Sequence, residues 1–124
     1  MTTKADVAII GCGEAGIFAG YELKLRHPEL NIIVLEQGAD IYSRTCPIVA
    51  GKVKSCIHCK TCDTMCGFGG AGAFSDGKFN FTTQFGGWLT DFLEPGDVMK
   101  LIDYVDSINV AHGATTQCFS TSTP

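Results

Sequence analysis

Six residues near the N-terminus, Gly11-Cys12-Gly13-Glu14-Ala15-Gly16, restrict the fold more than any other part of the chain. They follow Asp6 to Ile10 (DVAII), a short β-branched run that is apolar on both faces, as a buried parallel strand should be. They open a segment, Glu14 to Arg26, in which Ile17, Phe18, Tyr21 and Leu25 fall at helical spacing and which Pro28 brings to an end. A second strand, Asn31 to Glu36 (NIIVLE), comes next. Strand, glycine turn, helix and strand make one βαβ unit, and that context turns a weak G-x-G-x-x-G pattern into a dinucleotide fingerprint. Gly11 permits the tight turn, Gly13 leaves room for a pyrophosphate, and Gly16 lets the helix pack close to the strand. Glu14 and Ala15 lie in the first turn of the helix, whose unpaired N–H groups and positive dipole end favour phosphate charge. Glu36 is placed to accept the ribose hydroxyls of an adenosine and to repel a 2′-phosphate, which argues against NADP here. Cys12, inside the turn, reads as a small filler residue.

Composition bounds the rest. A chain of 124 residues is expected to form one domain, 1–124. An apolar fraction of 45% with 18% charged residues excludes a disordered chain. The formal net charge of −4 and the absence of a basic block argue against nucleic acid and anionic membrane as partners. No apolar run approaches the roughly 20 residues of a membrane helix, and the N-terminal apolar stretch breaks at Gly11, unlike a signal peptide. A cytoplasmic location is therefore expected. Glycine (15) and cysteine (7) are both abundant, and the cysteines crowd together, which in a reducing compartment points to metal or redox chemistry before disulfides.

Residues 37–66 lack periodicity and hold five of those cysteines. Cys56, Cys59, Cys62 and Cys66 read C-x2-C-x2-C-x3-C, the ligand spacing of ferredoxin-type iron–sulfur sites. Ferredoxins carry Pro after the fourth Cys. Here Gly67 follows Cys66, so Cys46, upstream of Cys56, competes for the fourth place. Tetrahedral zinc, a redox-active dithiol and unliganded thiols are the other readings of the cluster. Residues 67–87 form a second glycine-rich loop, GFGGAGAFSDGK at its start. Its successive N–H groups suit an anion-binding nest, with Gly69, Gly70, Ala71, Ser75 and Lys78 as candidate contacts. The interleaved Phe68, Phe74, Phe79 and Phe81 argue against a mere flexible linker. A second helix is expected over Asp97 to Ala111, with Val98, Leu101, Ile102, Val105 and Ile108 on its apolar face and Gly113 as its stop. Thr115 to Phe119 is expected to form a third strand. His27 and His112 read as cations at helix C-termini, and Arg44 as a phosphate ligand or a surface ion-pair partner. No Ser-His-Asp set or carboxylate pair stands out, so no catalytic residue is assigned. The fold class is α/β, a partial Rossmann-like βαβ domain with a long Cys- and Gly-rich loop region.

DVAIIGCGEAGIFAGYEL…NIIVLEQG resembles the N-terminal FAD-binding segment of glutathione-reductase-like flavoproteins. The stretch from Cys46 to Asn80, and YVDSINVAHGA from Tyr104 to Ala114, resemble a group of bacterial and archaeal FAD-utilising dehydrogenases, the NAD(P)/FAD-dependent oxidoreductases. The resemblance spans nearly the whole chain, whereas members of that group run to several hundred residues. It implies FAD at Gly11, Gly13, Gly16 and Glu36, and a second glycine loop near the pyrophosphate or flavin ring. It further implies an oxidoreductase of which this is the N-terminal dinucleotide-binding part. A 4Fe-4S cluster beside the flavin, a small-molecule substrate and NAD(P)H are the associated expectations. The chain alone is expected to be an incomplete enzyme that associates with itself or with a complementing chain. The alternative is a small metal-binding electron-transfer or interaction module on a nucleotide-binding fold.

Overall fold

The computed structural model describes residues 4–84 and 86–117. The protein is α/β, with a two-stranded parallel sheet and two α-helices among these residues. Strand β1 (Val7–Ile10) and strand β2 (Ile32–Leu35) pair in the register Val7–Ile32 to Ile10–Leu35, and helix α1 (Glu14–Arg26) is the crossover between them. The ladder continues beyond the strands through Asp6 N–H to Asn31 O at 2.9 Å and Gly11 N–H to Leu35 O at 2.7 Å. Helix α2 (Pro95–Ala111) lies near the other end of the chain. The chain divides between Gly77 and Lys78 into two compact units.

In the first unit, α1 crosses β1 at small residues. Gly16 and Gly20 lie one turn apart, and a Cβ at either would come within 3.5 Å of the Ile9 side chain. A Cβ at Gly16 would also collide with the Gly11 carbonyl, so the helix can approach the turn this closely only with glycine there. The helix ends at His27, whose N–H bonds Leu23 O, and Lys24 Nζ closes the turn on Pro28 O and Leu30 O. His27 pairs with Glu29 at 3.4 Å.

The strands differ from the fully buried pair the sequence suggests. Val7 and Ile9 are half-buried while Ala8 and Ile10 face outward, with Ile10 79% exposed. One helix can cover only one face of a sheet, and α1 is the only α-helix described in this unit.

In the second unit, α2 starts two residues earlier than expected, with Pro95 in its first turn, where a missing N–H costs no hydrogen bond. Its end is a Schellman motif. Gly113, at φ 103°, donates to Val110 O at 3.0 Å, and Ala114 donates to Asn109 O at 2.9 Å. Val98, 5% exposed, is the best-buried residue of its apolar face. Val98, Leu101, Ile102 and Val105 of that face, with Phe79, Phe81 and Leu89, line an open cavity of about 320 Å³. The expected third strand does not form over residues 115–117, and the remainder of Thr115 to Phe119 lies outside the described residues.

Candidate functional site

Both glycine segments meet at the N-terminus of α1. Gly11 adopts φ 93°, which turns the chain out of β1, and Gly13 is the N-cap, with no side chain capping the helix. The second loop packs directly against this turn. Gly69 N–H donates to Cys12 O at 2.8 Å, and a Cβ on Gly70 would sit 3.0 Å from Gly13 Cα. A short 3-10 helix, Gly70–Phe74, continues from that contact. Gly11, Gly13, Glu14, Ala15, Gly16, Gly69, Gly70 and Ala71 thus surround or adjoin one helix end. Ser75 folds back on its own loop, its hydroxyl accepting Gly77 N–H at 3.1 Å. Lys78 opens the second unit.

Glu36 has a larger part than the ribose acceptor expected of it. Its carboxylate accepts N–H bonds from Cys12 at 2.7 Å, Gly38 at 2.9 Å and Gly67 at 2.9 Å. These come from the first glycine turn, the end of β2 and the second glycine loop, so one side chain fastens three segments. The Cys12 and Gly38 N–H groups, outweighing a smaller desolvation effect, hold its pKa below the ordinary glutamate value. Cys12 is 5% exposed and fills the space between these segments, in keeping with a filler residue.

Arg44 is neither a phosphate ligand nor a surface ion-pair partner. It is 5% exposed, and its guanidinium donates to four backbone carbonyls: Asp63 at 2.7 Å, Thr64 at 3.1 Å, Phe68 at 2.8 Å and Gly70 at 2.7 Å. It also stacks 4.6 Å from the centre of the Phe74 ring. The planar fork of arginine reaches several carbonyls at once, which an ammonium group does less well. Arg44 therefore ties the cysteine segment to the second glycine loop. Gly67 accommodates it: φ is 118°, and a Cβ there would lie 2.7 Å from Arg44 Cδ. Gly38 is equally constrained, since its Cβ would overlap the Gly67 backbone. Sequence reasoning missed both this glycine pair and the clasp of Arg44. Neither carries a local pattern, because the partners lie far along the chain.

The cysteines form a separate constellation. A cavity of about 230 Å³ is lined by Cys46, Cys56, Cys59 and Cys62, with Ile48, Val53, His58 and Asp63 among its other walls. Cys66 is not on that lining. Its sulfur accepts a hydrogen bond from Gln37 Nε2 at 3.2 Å. Cys56, Cys59 and Cys62 are exposed and Cys46 is half-buried. The nearby N–H groups of Val49 and Ile48, then the Thr64 side chain, favour the Cys46 thiolate and hold its pKa below the ordinary thiol value, against desolvation and the smaller effect of the Asp63 charge. His58, at φ 51°, bends the chain between Cys56 and Cys59 and points its N–H at Cys56 Sγ, 3.4 Å away. Among the described residues, no three His, Cys, Asp or Glu side chains converge closely enough to hold a metal ion: the thiols ring a space rather than a point.

The described helices include none long and apolar enough to cross a membrane. Compared with protein-family models, characterised proteins and solved structures, the chain matches none of them.

Proposed function

We propose that this chain is a dinucleotide-binding segment with a Rossmann-like βαβ core, and that the dinucleotide is FAD. The observation that carries the reading is the meeting of two glycine turns at one helix N-terminus, with Gly70 against Gly13 and Glu36 fastening both. Backbone N–H groups at such an end stabilise phosphate charge, and the absence of side chains on Gly13 and Gly70 lets a pyrophosphate approach. The fingerprint serves FAD and NAD alike. The resemblance of residues 46–80 to FAD-utilising dehydrogenases favours FAD. The function is then that of the dinucleotide-binding portion of an FAD-dependent oxidoreductase, acting on a small-molecule substrate with NAD(P)H as a candidate electron partner. A bound flavin turns a two-electron hydride transfer into single-electron steps, which is useful beside an iron–sulfur centre in the cysteine segment. This chain's own residues bind the adenosine and pyrophosphate half and join that half to the cysteine segment through Arg44.

The test is Gly13→Ala. A Cβ at Gly13 meets only Gly70 Cα, at an ordinary 3.9 Å, so the variant should fold. Its methyl group occupies the phosphate approach, so FAD titration followed by fluorescence quenching should show weakened binding at unchanged circular dichroism. Unchanged affinity in the folded variant overturns the reading. A second reading, a metal-binding electron-transfer or interaction module, is supported by the cysteine-lined cavity alone. Purified protein that is colourless, binds zinc and ignores FAD would establish it.

A further inference from the structure

We infer that Cys46, Cys56, Cys59 and Cys62 are the four ligands of a 4Fe-4S cluster, and that Cys66 stands outside the ligand set. The inference rests on the proposed iron–sulfur reading of the cysteine segment and decides what spacing leaves open. By spacing alone, C-x2-C-x2-C-x3-C places Cys66 fourth. The fold places Cys46 there instead. The cavity of about 230 Å³ has Cys46 on its wall with Cys56, Cys59 and Cys62, and Cys66 is absent from it.

Three further features agree. The segment after Cys46 turns back on itself, Ala50 N–H bonding Cys46 O at 2.9 Å and Lys52 N–H bonding Pro47 O at 2.9 Å. The N–H of His58 is aimed at the sulfur of Cys56, 3.4 Å away. Backbone N–H groups directed at sulfur are among the levers by which a protein stabilises cluster thiolates. The segment bearing Cys46 is also fixed across the cavity, because Thr45 N–H bonds Asp63 Oδ2 at 3.1 Å and Arg44 Nε bonds Asp63 O. Cys66, by contrast, precedes Gly67, whose N–H is committed to Glu36, and its own sulfur faces Gln37. The residues between Val53 and Asp63 form no helix or strand, so the three exposed thiols can swing inward on loading without breaking regular structure.

Anaerobic reconstitution of the full chain with iron and sulfide tests this. Iron and acid-labile sulfide are counted per chain, and the reduced protein is examined by electron paramagnetic resonance. Wild type and Cys66→Ala should load fully with the same signal. Cys46→Ala should lose the cluster or retain a three-iron form, and alanine at Cys56, Cys59 or Cys62 should abolish loading. Cys46→Ser guards against a folding defect, since it preserves size and polarity: it should change the resonance signal, and Cys66→Ser should not. A cluster kept by Cys46→Ala and lost by Cys66→Ala overturns the assignment, as does loss or retention in both at native circular dichroism. Zinc uptake by wild type with no brown species under the same conditions overturns the iron–sulfur reading itself and the ligand set with it.

Discussion

Glu36 and Arg44 are the two side chains on which the first unit turns, and each can be probed alone. The Glu36 carboxylate accepts from Cys12, Gly38 and Gly67, bonds that favour its charged form. Its pKa is therefore lower in the folded than in the unfolded state, and the unfolded state binds more protons at mildly acid pH. Its contribution to stability is complete above the ordinary glutamate pKa and fades as pH falls through the lowered folded value. The denaturation midpoint of wild type should drop across that acid range, and Glu36→Gln should flatten the dependence while lowering stability at neutral pH. A Glu36→Gln variant that keeps the wild-type acid profile would show that another carboxylate is responsible. Arg44→Ala should be severe, since it leaves up to four carbonyls without their donor. A loss of about 2–4 kcal/mol follows if those groups are only partly rehydrated. Limited proteolysis should reveal it first as nicking between residues 46 and 77, and Arg44→Lys should rescue only part.

Among the elements, the glycines sort by what their missing side chain would strike. At Gly38 a methyl group meets the Gly67 backbone, which cannot move without releasing Glu36 and Arg44. At Gly16 it meets the Gly11 carbonyl at the heart of the turn. Gly16→Ala and Gly38→Ala should both lower the melting temperature and weaken FAD binding. Gly96 is the contrast: it lies in the first turn of α2 with open space around it. Gly96→Ala should stabilise by about 0.4–1 kcal/mol through a less flexible unfolded chain. Thermal melts of the three variants check the ordering. The βαβ elements were legible because their signals are local. The helix from Glu14 to Arg26 emerged with the expected bounds, since its periodicity lies within it and its Pro28 stop directly beyond. Of the strand expected at 115–119, the described part, 115–117, forms none.

For the whole molecule, the apolar surface is the dominant physical fact. Cys12 and Val98 are the buried hydrophobic residues among those described, while Ile10, Trp88 and Phe92 are each more than three-quarters exposed. Parallel sheets are normally covered on both faces, and exposed apolar patches favour association. The 124-residue chain with added FAD should therefore sediment as an oligomer and show no steady NAD(P)H turnover, measured by analytical ultracentrifugation alongside a dye-reduction assay. Sustained turnover by a stable monomer would refute this. The sequence by itself determined the strand–turn–helix–strand unit and the presence of a cysteine cluster, because periodicity, proline stops and close glycine and cysteine spacings act over a few residues. Only the tertiary structure decided that Glu36 fastens three segments, that Arg44 faces carbonyls rather than a phosphate, and that Cys46 rather than Cys66 shares a cavity with the other thiols. The reason is distance along the chain. Glu36 reaches Gly67 and Arg44 reaches Gly70 across 31 and 26 residues of irregular backbone, where no repeat or period marks which residues will meet.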